Sequence, residues 1–250
     1  MKNEQRYRVA QWGTGHSGMP SLRALIEHPT FDLVGVYVYS EAKAGRDAGD
    51  LANTATTGVI ATRNIADIIA AKPDCVVYMP VTYNTDDVCR LLESGINIST
   101  LLEHFHDPAS LPPEVCQRIE AACEKGQASI YSAGPSPGFI TESFPLVLTS
   151  VQRELNLLRV EEFADISDRN SPEMYALLGY GRLPSEVDID HIGELTRVGY
   201  GSSLAHLAKA LSLPFDESVV KSRLATASNP VKTPAGTFAA GTVAAVQFEV

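Results

Sequence analysis

The chain lacks most of the features that mark the common non-enzymatic classes of protein. Its 20 Lys and Arg are outnumbered by 30 Asp and Glu, and they gather into no stripe. Binding a phosphate backbone relies on clustered cations, so a formal net charge of -10 excludes nucleic acid as an expected partner. No apolar run approaches the roughly 18 to 20 residues that span a bilayer. The opening stretch, "MKNEQRYRVAQW", has no uninterrupted apolar core of the kind a secretory leader needs. The expectation is a cytoplasmic protein without membrane association.

Paired cysteine motifs are missing too. Cys75, Cys89, Cys116 and Cys123 form no C-x-x-C pair, which favours buried free thiols. Cys116 and Cys123 stand one heptad apart, a core-face spacing on a helix rather than a metal site. His104, His106, Glu103 and Asp107 crowd into one short segment with no distant ligand, so no metal centre is expected. Internal repeats and low-complexity tracts are absent as well. What remains is an ordinary folded composition, 44% hydrophobic and 20% charged over 250 residues. That length allows two modest domains, each with its own core.

The first 134 residues alternate two periodicities. Short apolar, β-rich runs at residues 7–12, 33–39, 75–79, 96–101 and 128–132 are bounded by Gly, Pro, Asn or Asp. Between them lie helix-period segments: "MPSLRALIEH", "IADIIAAK", "DDVCRLLESG" and "PPEVCQRIEAACEKG". Near-continuous apolar strands separated by helices predict a parallel sheet covered on both faces. After Gly134 the alternation breaks. A helix-like "ITESFPLVLTSVQ" is followed by the strand-like "LLRVEEFADIS", "SVVKSRLATAS" and "TVAAVQFEV", with helices expected at "SPEMYALLG" and "SSLAHLAKALS". The expected architecture is therefore α/β: a Rossmann dinucleotide-binding domain over residues 1–134, then an α+β domain over 135–250 with a mixed or antiparallel sheet. The sequence stops at Val250 inside a β-like run, which leads us to expect a C-terminal continuation.

The stretch Trp12-Gly-Thr-Gly-His-Ser-Gly18 carries the spacing G-x-G-x-x-G between a strand-like run and a helical one. In that context Gly13 permits a tight turn, Gly15 lets backbone approach a pyrophosphate, and Gly18 lets helix pack on sheet. Thr14, His16 and Ser17 complete the turn at the positive helix N-terminus. The alternative is a turn used only for packing. The coenzyme is then chosen at the end of the second strand, in "VYVYSEAKAGRD". Ser40 with Lys43 or Arg46 suits the 2′-phosphate of NADP, whereas Glu41 turned inward suits the 2′-hydroxyl of NAD. NADP is the favoured reading, with NAD as the alternative.

Ligands of open parallel sheets lie beyond the carboxyl ends of the strands. There, "MPVTYN" brings Pro80 and Thr82 toward the nicotinamide ribose. "INISTLLEHFHDP" brings Glu103, and "YSAGPSPGF" brings Pro135, Ser136 and Phe139. Glu103 follows two leucines, so a half-dry carboxylate suited to acid–base work, or to holding a cationic nitrogen, is expected beside the nicotinamide. The alternative is a surface glutamate at a helix start.

Taken together, "VAQWGTGHSG", "GVYVYSEAKAGRDAGDLA", the glutamate of "NISTLLEHFHDP" and the segment "GPSPGF" resemble the dihydrodipicolinate-reductase-like dehydrogenases. Within them, the branch of native amine dehydrogenases and 2,4-diaminopentanoate dehydrogenase is the most similar. The resemblance spans most of the chain. It implies a nicotinamide coenzyme, reductive amination of a small ketone or aldehyde with ammonia together with the reverse deamination, and a homodimer built through the second domain. It gives Glu103 the catalytic role and Phe139 a place in the substrate pocket, with Met174 and His191 placed more loosely. Ser136 departs from the family, which often has Asn there. The His-His pair followed by Lys, and the carboxylate-binding segment of true dihydrodipicolinate reductases, are both missing. Tyr175 and Leu178 join the apolar pocket candidates, with ordinary helix core as the alternative for Met174 and Leu178. Arg169 is a loosely placed candidate for a carboxylate. Two further readings stand beside this one: a reductase of another carbonyl or cyclic imine, and a nucleotide-binding protein without catalysis.

Overall fold

The computed structural model describes residues 6–108 and 111–250; the first five residues of the opening stretch and the Ala109–Ser110 link lie outside them. The described chain divides into two compact units, Met1–Pro135 and Ser136–Val250.

The first unit is a six-stranded, all-parallel sheet. Its strands are β1 (Tyr7–Trp12), β2 (Phe31–Tyr37), β3 (Ala61–Thr62), β4 (Cys75–Tyr78), β5 (Asn97–Thr100) and β6 (Ile130–Ser132), in the order β3-β2-β1-β4-β5-β6. This is the doubly wound arrangement of dinucleotide-binding domains, with the change of direction at β1 and β4. The crossovers are α1 (Gly18–Glu27), α2 (Ala48–Ala52), α3 (Ile65–Ala70), α4 (Thr85–Glu93) and α5 (Pro113–Gly126). Their ends follow local chemistry. Asn64 and Asn84 accept the first free amides of α3 and α4, Pro113 opens α5, and Gln127 closes it in the left-handed conformation.

Each face of the sheet has its own apolar cluster. Leu22, Val36, Val38, Leu51 and Ala61 pack on the side of α1 and α2. Ala10, Trp12, Val76, Tyr78, Leu91, Ile98 and Ile119 belong to the other, larger cluster with α3, α4 and α5. Burial of strands on both faces explains why they read as continuous apolar runs rather than as alternating ones.

The second unit is α+β. It begins with a π-helical turn at Phe139–Ser143 running into α6 (Phe144–Thr149), followed by α7 (Pro172–Leu177) and the 22-residue α8 (Ile189–Ala210). The strands are β7 (Lys221–Thr226), β8 (Val231–Thr233), β9 (Gly236–Phe238) and β10 (Val243–Glu249). They form two antiparallel pairs, β10 with β7 and β8 with β9. None of the described helices is long and apolar enough to cross a membrane.

Two expectations need correction. The stretch "LLRVEEFADIS" is not a strand: residues 152–166 make no ladder, and Leu158, Val160 and Ala164, which alternation would put together on the apolar face, are all exposed. Alternation alone does not make a strand; a neighbouring strand must supply the hydrogen bonds. The helix expected from residue 202 starts instead at Ile189, where the Asp188 carboxylate accepts the His191 amide at 3.0 Å. Its first half is masked in sequence by Gly193, Gly199 and Gly201, which lower helix propensity. The first and last of these let the helix pass close over Ser222 and Ser218.

Candidate active site

The sheet register sets the site. One row of paired residues crosses all six strands: Thr62, Tyr37, Trp12, Tyr78, Thr100 and Ser132. Gly13 stands one residue beyond that row and Glu103 three, so the glycine turn and the glutamate rise from the same carboxyl edge, on β1 and β5.

The glycine turn is held on several sides. Gly13 takes φ +88 and its amide donates to the Tyr37 carbonyl at 2.9 Å. A Cβ there would meet the Met79 carbonyl oxygen at 2.6 Å, and one on Gly18 would strike the Gly13 carbonyl. Gly15 differs, since a Cβ there would meet nothing within 4 Å. Its backbone faces open space at the start of α1, where free amides and the helix dipole favour an anion. His16 and Ser17 are exposed beside it, and Thr14 is buried. Beneath the turn, fully buried Gln11 donates from Nε2 to the Gly13 carbonyl at 2.9 Å and accepts the Ser21 hydroxyl at 2.8 Å. Sequence reasoning missed Gln11. The available signal was an amide side chain inside an otherwise apolar buried strand, which needs partners.

The chain after β2 reaches back to this turn. Lys43 Nζ donates to the Thr14 carbonyl at 2.7 Å and to its hydroxyl at 3.3 Å. Ser40 is exposed, and its carbonyl accepts the Lys43 amide at 3.1 Å. Arg46 is exposed and contributes its backbone, pairing with the Ala61 amide at 2.9 Å. Glu41 stands 4.0 Å from Arg63 with its side chain 93% exposed. The loop is anchored by Asp47, whose carboxylate accepts the amides of Gly49, Thr57 and Gly58 at 2.7 to 3.0 Å and the Thr57 hydroxyl at 3.2 Å. Those bonds, the Thr57 amide first, hold the carboxyl below its ordinary range. Tyr39, just ahead of Ser40, accepts the Trp12 indole N–H at 2.9 Å.

Glu103 opens a short 3-10 turn, Glu103–Phe105, and is half-buried. The strand end that carries it is tied by Leu102, whose amide donates to the Thr100 hydroxyl at 3.2 Å and whose carbonyl accepts the Ser132 hydroxyl at 2.8 Å. Tyr83, from the loop after β4, packs edge-on against His104 and Phe105 with ring centroids 5.3 and 4.9 Å away. The loops after β4 and β5 therefore form one structure. Pro80 is buried at its base and Thr82 is exposed on it.

In the second unit, Ser136 and Phe139 lie on the segment that enters the π-helical turn. Ser136 Oγ is 3.3 Å from the Tyr200 hydroxyl of α8, and Phe139 is 56% exposed beside Phe144. A one-way chain of hydrogen bonds fixes this turn. The Gly138 amide donates to Thr141 Oγ1 at 2.8 Å, Thr141 Oγ1 lies 2.7 Å from Ser203 Oγ, and Ser203 donates to Glu142 at 2.7 Å. Because Ser203 spends its proton on the carboxylate, the Thr141 hydroxyl is the donor to Ser203. Met174 is half-buried on α7, with its sulfur 3.8 Å from an Arg169 nitrogen. His191 is exposed at the start of α8, nine residues and thus about 13 Å of helix from Tyr200. Met174 and His191 share no hydrogen bond or ring contact with Ser136 or Phe139, whereas Tyr175 is buried against Tyr180 and Phe238.

No protein-family model matches the sequence. The chain is 31% identical over 248 residues to an amine dehydrogenase from Streptomyces virginiae, a match that covers 96% of this chain and 69% of that protein. Among solved structures it superposes on the amine dehydrogenase of Mycobacterium smegmatis with a TM-score of 0.73 at 21% identity, over 99% of this chain and 75% of that one. The second likeness is one of fold; the first, at its identity and extent, settles kinship, and the chain belongs to the amine dehydrogenase family.

Proposed function

We propose that the chain catalyses the reductive amination of a small ketone or aldehyde with ammonia, and the reverse oxidative deamination, with a nicotinamide coenzyme. The observation that carries this reading is the shared edge of Gly13 and Glu103 in a member of this family: a dinucleotide turn after β1 and a half-buried carboxylate after β5 rise from the same edge of one sheet, with β4 between them. The turn fits a dinucleotide, because the backbone at Gly15 is uncovered and the N-terminus of α1 is open beside it. When bound, the coenzyme supplies the hydride that reduces a carbon–nitrogen double bond, or accepts it in the reverse direction.

The chain's own residues do the rest. Gly13, Thr14, Gly15, His16, Ser17 and Gly18 hold the pyrophosphate, and Ser40 with Lys43 and Arg46 hold the adenosine ribose. The Lys43 ammonium already sits on the turn, which supports NADP as the preferred coenzyme, with NAD as the alternative. Pro80 and Thr82 border the nicotinamide ribose. Glu103 takes a proton from ammonium, or from the carbinolamine nitrogen formed when ammonia adds to the carbonyl carbon, and gives it back to the carbinolamine hydroxyl, which leaves as water and restores the carboxylate. Its negative charge stabilises the positive charge on the iminium nitrogen, whose double-bonded carbon takes the hydride while the π electron pair moves to nitrogen. Ser136, Phe139, Met174 and His191 belong to the substrate pocket in this reading.

Two finer points go with the proposal. The protein works as a homodimer, supported by Leu157, Val160 and Phe163 standing exposed along one stretch; light scattering of the purified chain checks this. It works in the cytoplasm, supported by four cysteines that are all free.

The test is NADPH oxidation by the purified protein with a panel of small ketones and aldehydes, each with and without excess ammonium at alkaline pH. Consumption that needs both ammonium and carbonyl compound is the expected result. Consumption without ammonium would instead make the protein a carbonyl reductase, and binding of coenzyme without any turnover would leave it a nucleotide-binding protein.

A further inference from the structure

Strands β1 and β2 end side by side, and the residues around their ends do more than the glycine turn requires. Trp12, the only tryptophan in the chain, is fully buried and lies flat on Tyr37 with ring centroids 3.7 Å apart. Its Nε1 donates to the Tyr39 oxygen at 2.9 Å. An indole N–H is only a donor, so the direction of this bond is fixed. The phenol oxygen accepts, and its own proton is left to be given elsewhere. Among the described residues none accepts it.

Tyr39 is also placed to give that proton to a ligand. It lies past the carboxyl end of β2, directly before Ser40, and is 52% exposed. Lys43, four residues on, reaches the same turn at Thr14, so two side chains of this segment return to β1 on either side of Gly13. Burial, against the opposing effect of the Trp12 hydrogen bond, pushes the phenol above its ordinary range and keeps the proton on it at neutral pH.

We propose that the Tyr39 hydroxyl is a direct ligand of the dinucleotide: its oxygen accepts the Trp12 indole N–H while its O–H donates to the oxygen at the 2′ position of the adenosine ribose. That oxygen belongs to a hydroxyl in NAD and to a phosphate in NADP, and the phenol serves either. Accepting one hydrogen bond strengthens the donation of the next. Trp12 thereby orients the hydroxyl without touching the ligand. The inference rests on the reading that this turn holds a dinucleotide.

Calorimetric titration of the whole chain with adenosine 5′-monophosphate and with adenosine 2′,5′-bisphosphate tests it, using the wild type, Tyr39→Phe and Trp12→Phe. The expected result is that Tyr39→Phe weakens binding roughly tenfold, while Trp12→Phe, which keeps the phenol, costs less than about threefold. A loss with both nucleotides assigns the bond to the ribose hydroxyl as well; a loss with the bisphosphate alone assigns it to phosphate. Unchanged affinity in Tyr39→Phe, or equal losses in the two variants, overturns the assignment. Failure of the wild type to bind either nucleotide overturns the dinucleotide reading and the inference with it. A second measurement needs no variant. Trp12 is the sole indole and Tyr39 its partner, so saturation of the wild type shifts its emission; an unchanged spectrum at calorimetric saturation overturns the inference.

Discussion

Lys43 Nζ lies 2.7 Å from the carbonyl oxygen of Thr14, so a cation carried by the segment after β2 is seated on the turn after β1 before any anion arrives. A phosphate bound there gains a partner whose position is already prepared. Lys43→Met is expected to weaken NADPH binding by roughly tenfold or more, the value of a charged hydrogen bond, and NADH binding distinctly less. Fluorescence or calorimetric titration with both coenzymes checks it; equal losses would remove Lys43 from coenzyme selection.

The three glycines of the turn separate stability from binding. Gly13 and Gly18 are closed in by backbone, while Gly15 is open. Gly18→Ala is expected to destabilise the first unit by about 2 kcal/mol or more, as overpacking does. Gly15→Ala should leave the melting temperature within a degree or two, yet abolish measurable coenzyme binding. Thermal unfolding and titration of the two variants, run side by side, decide the matter.

Glu103 calls for the opposite pattern. Glu103→Gln keeps size and hydrogen-bonding capacity but removes the charge and the basic site. Turnover is expected to fall by about 10² to 10⁴, the range for general acid–base catalysis, with NADPH affinity unchanged. Loss of coenzyme binding in this variant would assign the residue a structural role instead.

Asp47 gives a pH signature. Its carboxyl is held below the ordinary 3.8 by the Thr57 amide above all, so the folded form binds its proton less readily than the unfolded chain. The stability it contributes is therefore complete above about pH 4 and is lost as pH falls through the depressed folded value. Asp47→Asn is expected to lower the melting temperature at pH 7 and to narrow the gap from wild type as the buffer is taken toward pH 3. A gap that stays constant over that range would sink this account.

In the second unit, the buried Thr141 and Ser203 hydroxyls share one proton chain ending on Glu142. A double-mutant cycle with Thr141→Val and Ser203→Ala is expected to show a coupling of about 0.5 to 3 kcal/mol in unfolding free energy. Additive losses would mean that the two groups act separately.

Much of the first unit was legible because its signals are local. The apolar run ending at Trp12, the proline opening of α5 and the G-x-G-x-x-G spacing each depend on a few adjacent residues. The two-residue β3 carries too little pattern to be read, and it exists because β2 offers it an edge. The stretch "LLRVEEFADIS", residues 157–167, fails in the reverse way, with strand-like alternation and no strand paired to it. The same distinction runs through the site. Gly13, Gly15 and Gly18 announce themselves by spacing, and Lys43 by its place after β2. The holdfasts Gln11, Tyr39 and Asp47 depend on which residues face each other across strands and loops, and no adjacent residue encodes that. Tyr200 and Ser203 were hidden in the same manner, since their partners lie more than 60 positions away.

The central place of β1 also governs how the chain must be made. It precedes the other described strands of the sheet in sequence and is flanked on both sides, by β2 and by β4. Its second neighbour begins only at Cys75. Until then the strand that will carry the glycine turn has one bare edge and an incomplete cover, and a nascent chain of the first 70 residues has no means of closing it. Long-range parallel pairing of this kind is slow and exposes sticky intermediates. The strand of the glycine turn thus waits with one edge open until β4 is made, and conditions that slow elongation or raise temperature act on that interval before they act on the finished fold.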